Sequence, residues 1–209
     1  MTISLDRPDR PISVVAPDPA VRWLAVLALA LGGFGIGTTE FVAMGLLPDI
    51  ASSLGITEPT AGHVISAYAL GVVIGAPLIA ALAARVPRKT LLLTLMAVFT
   101  LGNLASALAP SYATLMVARF VAGLPHGAYF GVAALVATHL MGRHNRAKAV
   151  AHVMCGLTVA TVIGVPMASW LGQALGWRSA FGLVVAIGAA TLTALTFWLP
   201  MRLRSMHVT

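Results

Sequence analysis

The 209-residue chain is 59% hydrophobic and only 9% charged, and its mean hydropathy of +0.93 matches an apolar share well above the roughly 45–50% of soluble domains. A soluble globular core is excluded, and so is a nucleic-acid binder: the net charge of +7 comes from Lys and Arg dispersed over separate loops rather than gathered on one face. The single cysteine, Cys155, lies inside an apolar run and excludes an intrachain disulfide.

Residues 1–20, with four prolines among charges, predict a flexible tail. The apolar stretch that follows continues to Leu47, too long for the roughly 7–15 residues of a signal-peptide core. A bilayer core of about 30 Å takes about 20 apolar residues in a helix, and the interruptions divide the chain into six such spans, near 22–47, 61–84, 90–109, 112–140, 147–172 and 178–199. The first is expected to stop at Pro48. Thr57, Ser111 and Asn145 stand where their side chains could bind the free amides opening the second, fourth and fifth helices. The domain organisation is thus a tail over 1–20, a six-span bundle over 21–200 and a short terminal segment over 201–209.

Basic residues orient such bundles toward the cytoplasm. Arg7, Arg10, Arg22, Arg85, Arg88, Lys89, Arg143, Arg146, Lys148, Arg202 and Arg204 fall on one side, eleven in all, against Arg178 alone on the other. Both termini are therefore expected in the cytoplasm, with the bundle spanning the plasma membrane.

Helices in lipid associate through small residues that let backbones approach. Gly156, Ala160, Gly164, Ala168 and Gly172 repeat at four-residue intervals in the fifth span, and Gly123, Gly127 and Gly131 do so in the fourth. Both stripes are expected to face other helices. Pro166 removes a backbone donor in mid-span and is expected to bend the fifth helix at this glycine-lined seam, a candidate gating element.

Glu40 and Arg119 are the two charged residues well inside the spans, and an ionisable group at that depth is a functional candidate. Glu40 lies eight residues before Pro48 and Arg119 eight after Ser111, so both sit about 12 Å below the outer boundary and are expected to pair across the bundle, either for proton coupling or as a static packing pair. His126, beside Pro125, titrates near neutral pH and could contact substrate or carry protons. Asn103 and Tyr129 are further in-span polar groups that need partners. Trp23, Trp170, Trp177 and Trp198 fall near span ends, as in an interfacial belt. No histidine pair has a metal-site ligand set.

Four segments carry a resemblance: TTEFVAMGLLPDIA at 38–51, GAPLIAALAARVPRKTLLL beginning at Gly75, RFVAGLPHGAYFGVAALVA at 119–137 and GLTVATVIGVPMASWLGQALGWRSAF at 156–181. Together they resemble the amino-terminal half of a major facilitator superfamily transporter, and more narrowly the twelve-span drug:proton antiporters of the arabinose-efflux-like branch. The resemblance implies an all-α membrane fold, six helices arranged as two inverted three-helix repeats. Against the family's loop signature G-x-x-x-D-R-x-G-R-K, Arg85, Arg88 and Lys89 match, while Ala80, Ala84 and Pro87 replace Gly, Asp and Gly. Gly164 to Pro166 is similar to the antiporter signature of helix five, and Arg119 matches the basic residue of the helix-four signature.

The resemblance implies proton-coupled efflux of a small molecule, a drug or sugar-like compound, with the proton gradient as energy source and no cofactor. Substrate is then held between two six-helix halves, so the chain is expected to work with a second half or as a homodimer, or else to be a truncated non-transporting remnant. An intramembrane enzyme is a distant alternative: no G-x-S-x-G segment occurs, and Ser66, Ser106 and Ser169 have no base at helical spacing.

Overall fold

The computed structural model describes residues 19–83 and 86–200, and of Arg143 the backbone alone. Most of the expected tail, Arg85 of the loop motif and the terminal segment 201–209 lie outside the described residues. Six helical spans, Pro19–Leu54, Glu58–Leu82, Arg88–Ala107, Tyr112–Met141, Arg146–Leu175 and Trp177–Trp198, are long and apolar enough to cross a bilayer. No strand occurs among the described residues.

The ends follow local chemistry. Pro19, expected in the tail, opens the first helix, where a missing N–H costs nothing. Pro48 does not stop that span: after a 3-10 turn over Ala43–Leu46 it occupies the first turn of a continuing helix, Leu47–Leu54, which Gly55 ends in the left-handed conformation at φ 64°. Thr57 caps the second span through the Thr60 amide, and Ser111 forms a capping box with Thr114. Asn145 does not cap the fifth span; its amide instead donates backward to the Met141 carbonyl at 3.3 Å.

Two further spans are interrupted. The fourth breaks between Tyr112–Gly123 and His126–Met141, where Pro125 supplies no backbone donor. In the fifth, a π-helical turn over Ala160–Gly164 precedes Pro166, which falls in the first turn of the helix that follows.

The first span packs on the fifth and sixth, the fourth on the second and third, and the third on the sixth. Exchanging one with four, two with five and three with six reproduces these pairings, as two related three-helix repeats require. Arg178 ties one end of the bundle, donating to Ser53 Oγ at 3.2 Å and the Ala109 carbonyl at 2.8 Å. At the other end Lys89 donates to the carbonyls of Thr196 at 2.7 Å and Leu199 at 2.6 Å, where a cation complements the sixth helix's C-terminus. The Lys89 of the loop motif is therefore buried, not a solvated loop charge.

The glycine stripes carry the crossings. A Cβ on Gly156 would fall on the Ala30 carbonyl of the first span, and one on Gly164 would meet Thr38 and Phe34. Gly123 abuts the Tyr68 carbonyl of the second span and Gly127 the Ala76 side chain, whereas Gly131 faces open space. Trp177 departs from the expected belt: it is buried against Phe181, while Trp23, Trp170 and Trp198 are exposed.

Candidate functional site

A heptad-like stripe on the first span, Ala25, Ala28, Gly32, Gly35, Thr39, Val42 and Leu46, is buried throughout. Thr39 on that stripe is the hub of a polar network joining four spans. Arg119 of the fourth span, fully buried, donates from Nη1 to Thr39 Oγ1 at 2.9 Å and from Nη2 to the Thr39 carbonyl at 3.1 Å. Thr39 Oγ1 in turn donates to Asn103 Oδ1 of the third span at 2.5 Å, and Asn103 Nδ2 reaches the Phe99 carbonyl at 2.9 Å. Each group satisfies another that hydrocarbon would leave unpaired.

The guanidinium lies over the Tyr68 ring of the second span, 4.4 Å from its centroid, and 5.3 Å from that of Phe181 in the sixth. Such desolvated contacts are worth about 2 kcal/mol. The Tyr68 hydroxyl shares a 3.1 Å hydrogen bond with His126 Nδ1, at the first residue after the break in the fourth span. The His126 ring packs against Phe130, centroids 5.4 Å apart.

The expected direct pair of Glu40 and Arg119 is not made. Both terminal guanidinium nitrogens are spent on Thr39, and Arg119 Nε is buried without a partner. One residue is a 100° turn of helix, so with Thr39 aimed at Arg119 the half-buried Glu40 points aside, within electrostatic reach but out of contact. Tyr129 stands apart from this cluster: its hydroxyl donates to the Leu29 carbonyl at 2.9 Å and fills the space beside Gly32, in the seam between spans one and four. The network thus gathers Arg119, Asn103 and His126, keeps Glu40 at its edge, and leaves Tyr129 in packing.

Sequence reasoning missed Thr39 and Tyr68. Threonine in an apolar run reads as filler because its hydroxyl can bond its own helix. No sequence signal separates Thr39 from its neighbour, because the parallel register Val26, Leu29, Gly33, Ile36, Glu40 and Ala43 has the same 3-4 spacing, and only the packed structure shows which of the two faces the bundle.

A six-helix bundle of two three-helix repeats, with buried polar groups joining its first and fourth spans, has the repeat architecture of one half of a secondary-transporter fold. The chain belongs to the major facilitator superfamily, whose family model matches residues 29–207. That is a family of transporters, not enzymes. The chain is 50% identical over 175 residues to the inner membrane transport protein YdhP of Escherichia coli K12, covering 84% of this chain and 45% of that protein. It is 40% identical over 183 residues to a chloramphenicol resistance protein of Streptomyces lividans, covering 82% and 47%. In structure it superposes on the proton:xylose symporter XylE with a TM-score of 0.75 at 16% identity, over 85% of this chain and 44% of that one. The chain spans about half the length of the relatives it matches.

Proposed function

We propose that the chain forms half of a proton-coupled efflux transporter of the bacterial inner membrane, with both termini cytoplasmic, exporting a small amphipathic or sugar-like molecule. The observation that carries this reading is the buried network of Arg119, Thr39, Asn103, Tyr68 and His126 with an unpaired carboxylate, Glu40, at its edge. A charge in that setting costs free energy unless the protein uses or neutralises it. Glu40 loads the proton: charged, it is drawn toward the free Nε of Arg119; neutral, it releases that attraction and leaves the guanidinium on Thr39. The two arrangements differ by a local electrostatic term, which biases the inward and outward states. The half-length match and the position of the polar groups support completion of the pathway by a second six-helix half or a second copy. The relation to a chloramphenicol resistance protein and to an inner membrane transport protein supports efflux and the location.

Everted membrane vesicles holding the assembled transporter test this. Chloramphenicol or a sugar should accumulate when an inward-acid pH gradient is imposed and stop when it is collapsed; accumulation indifferent to the gradient would refute proton coupling. Reporter fusions at Pro87 and Gly142 should report cytoplasm and those at Ser53 and Gly176 the opposite side, and the reverse pattern would refute the orientation.

A further inference from the structure

The basic end of the bundle contains a notch of about 220 Å³ between the start of the first span and the end of the fourth, lined by Arg22, Trp23, Val26, Leu140, Met141 and Asn145. Its upper part is polar. The Arg22 guanidinium makes no hydrogen bond or ion pair among the described residues, and Asn145, having given one N–H to Met141, keeps its second N–H and its carbonyl oxygen free. Trp23, 46% exposed, meets His152 of the fifth span edge-on at 5.0 Å. His144, Arg146 and Lys148 are exposed nearby.

Among the described residues, no acidic group lies at this end of the bundle to compensate this charge. The acidic residues among those described are Glu40, inside the first span, and Asp49 and Glu58, at the opposite end with Ser53 and Arg178. The lower part of the notch is apolar, Val26, Leu140 and Met141, and the surface continues outward along the first span through exposed Leu27. A free anion would use only the upper half. A ligand with an anionic head and a hydrocarbon tail uses both, and at this depth, where a tryptophan marks the membrane interface, the bilayer supplies one.

We propose that this notch binds the headgroup phosphate of an anionic phospholipid, Arg22 pairing with the phosphate, Asn145 donating to it, Trp23 packing on the glycerol region and the acyl chain leaving along Leu27. The lipid would pin the first, fourth and fifth spans together at the end where the fourth and fifth are joined by only a short turn.

Native mass spectrometry of the purified chain, with equal phosphatidylglycerol and phosphatidylcholine added, tests it. The wild type should retain phosphatidylglycerol preferentially. Arg22→Gln should reduce that preference roughly fivefold, the contribution of one interfacial arginine, and Asn145→Val should also lower it. Arg88→Gln, on the same end but outside the notch, should leave it unchanged. Inorganic phosphate in excess should not displace the lipid. Unaltered phosphatidylglycerol retention by Arg22→Gln, an equal loss with Arg88→Gln, or displacement by inorganic phosphate would each overturn the proposal.

Discussion

Gly123→Ala is expected to damage both the packing and the polar network, because the two are built on one crossing. A Cβ at Gly123 would fall on the Tyr68 carbonyl oxygen, with the Tyr68 carbonyl carbon at 3.1 Å and the Val72 nitrogen at 3.2 Å. All three are backbone atoms of the second span, so no side chain can rotate aside and the helices must separate. Overpacking of this kind costs about 1–3 kcal/mol. Separation also carries Tyr68 away from His126 and Arg119, and the 3.1 Å hydrogen bond has little slack before it is lost. Gly131→Ala is the matched control, since nothing lies within 4 Å of its added Cβ; it should be neutral within about 0.5 kcal/mol or slightly stabilising. Unfolding of the purified chain in mixed micelles, followed by tryptophan fluorescence, measures both. Equal stability of Gly123→Ala and Gly131→Ala would refute the argument that backbone contact at Gly123 sets this crossing.

Lys89→Met should lower stability by about 1–3 kcal/mol, because the carbonyls of Thr196 and Leu199 lose a charged donor, and should speed amide exchange in the last turn of the sixth helix; unchanged exchange there would contradict the capping role. Ser111→Ala should cost about 1 kcal/mol, whereas Asn145→Ala, which removes no cap, should stay within about 0.5 kcal/mol in the same unfolding assay.

Six spans were legible because each needs a long apolar run and because Thr57 and Ser111 are short polar side chains just ahead of such runs. The misplaced first boundary came from reading Pro48 as a breaker, when proline is equally suited to the first turn of a new helix. Trp177 near a span end reads as interfacial by position alone, although the turn folds it inward onto Phe181. The fifth-span stripe announced a close helix contact but not its partner, which is the first span, where the Ala30 carbonyl lies against Gly156. Arg119 was visible as a buried charge, but its partner was not. Attraction between Glu40 and Arg119 made a direct pair the simple expectation, while helix rotation gave the contact to Thr39. Which way a residue faces depends on the packing of all six spans, and that information is spread over the whole chain.

Glu40→Gln tests the central claim most directly, because it keeps the side chain's shape and removes the proton site. In membrane vesicles holding the assembled transporter, equilibrium exchange of labelled substrate is compared with accumulation driven by an imposed pH gradient. With Glu40 as the proton carrier and the Arg119–Thr39 contact intact, exchange should persist while gradient-driven accumulation disappears. Accumulation that still follows the pH gradient in Glu40→Gln would contradict the account and reduce Glu40 to a packing residue.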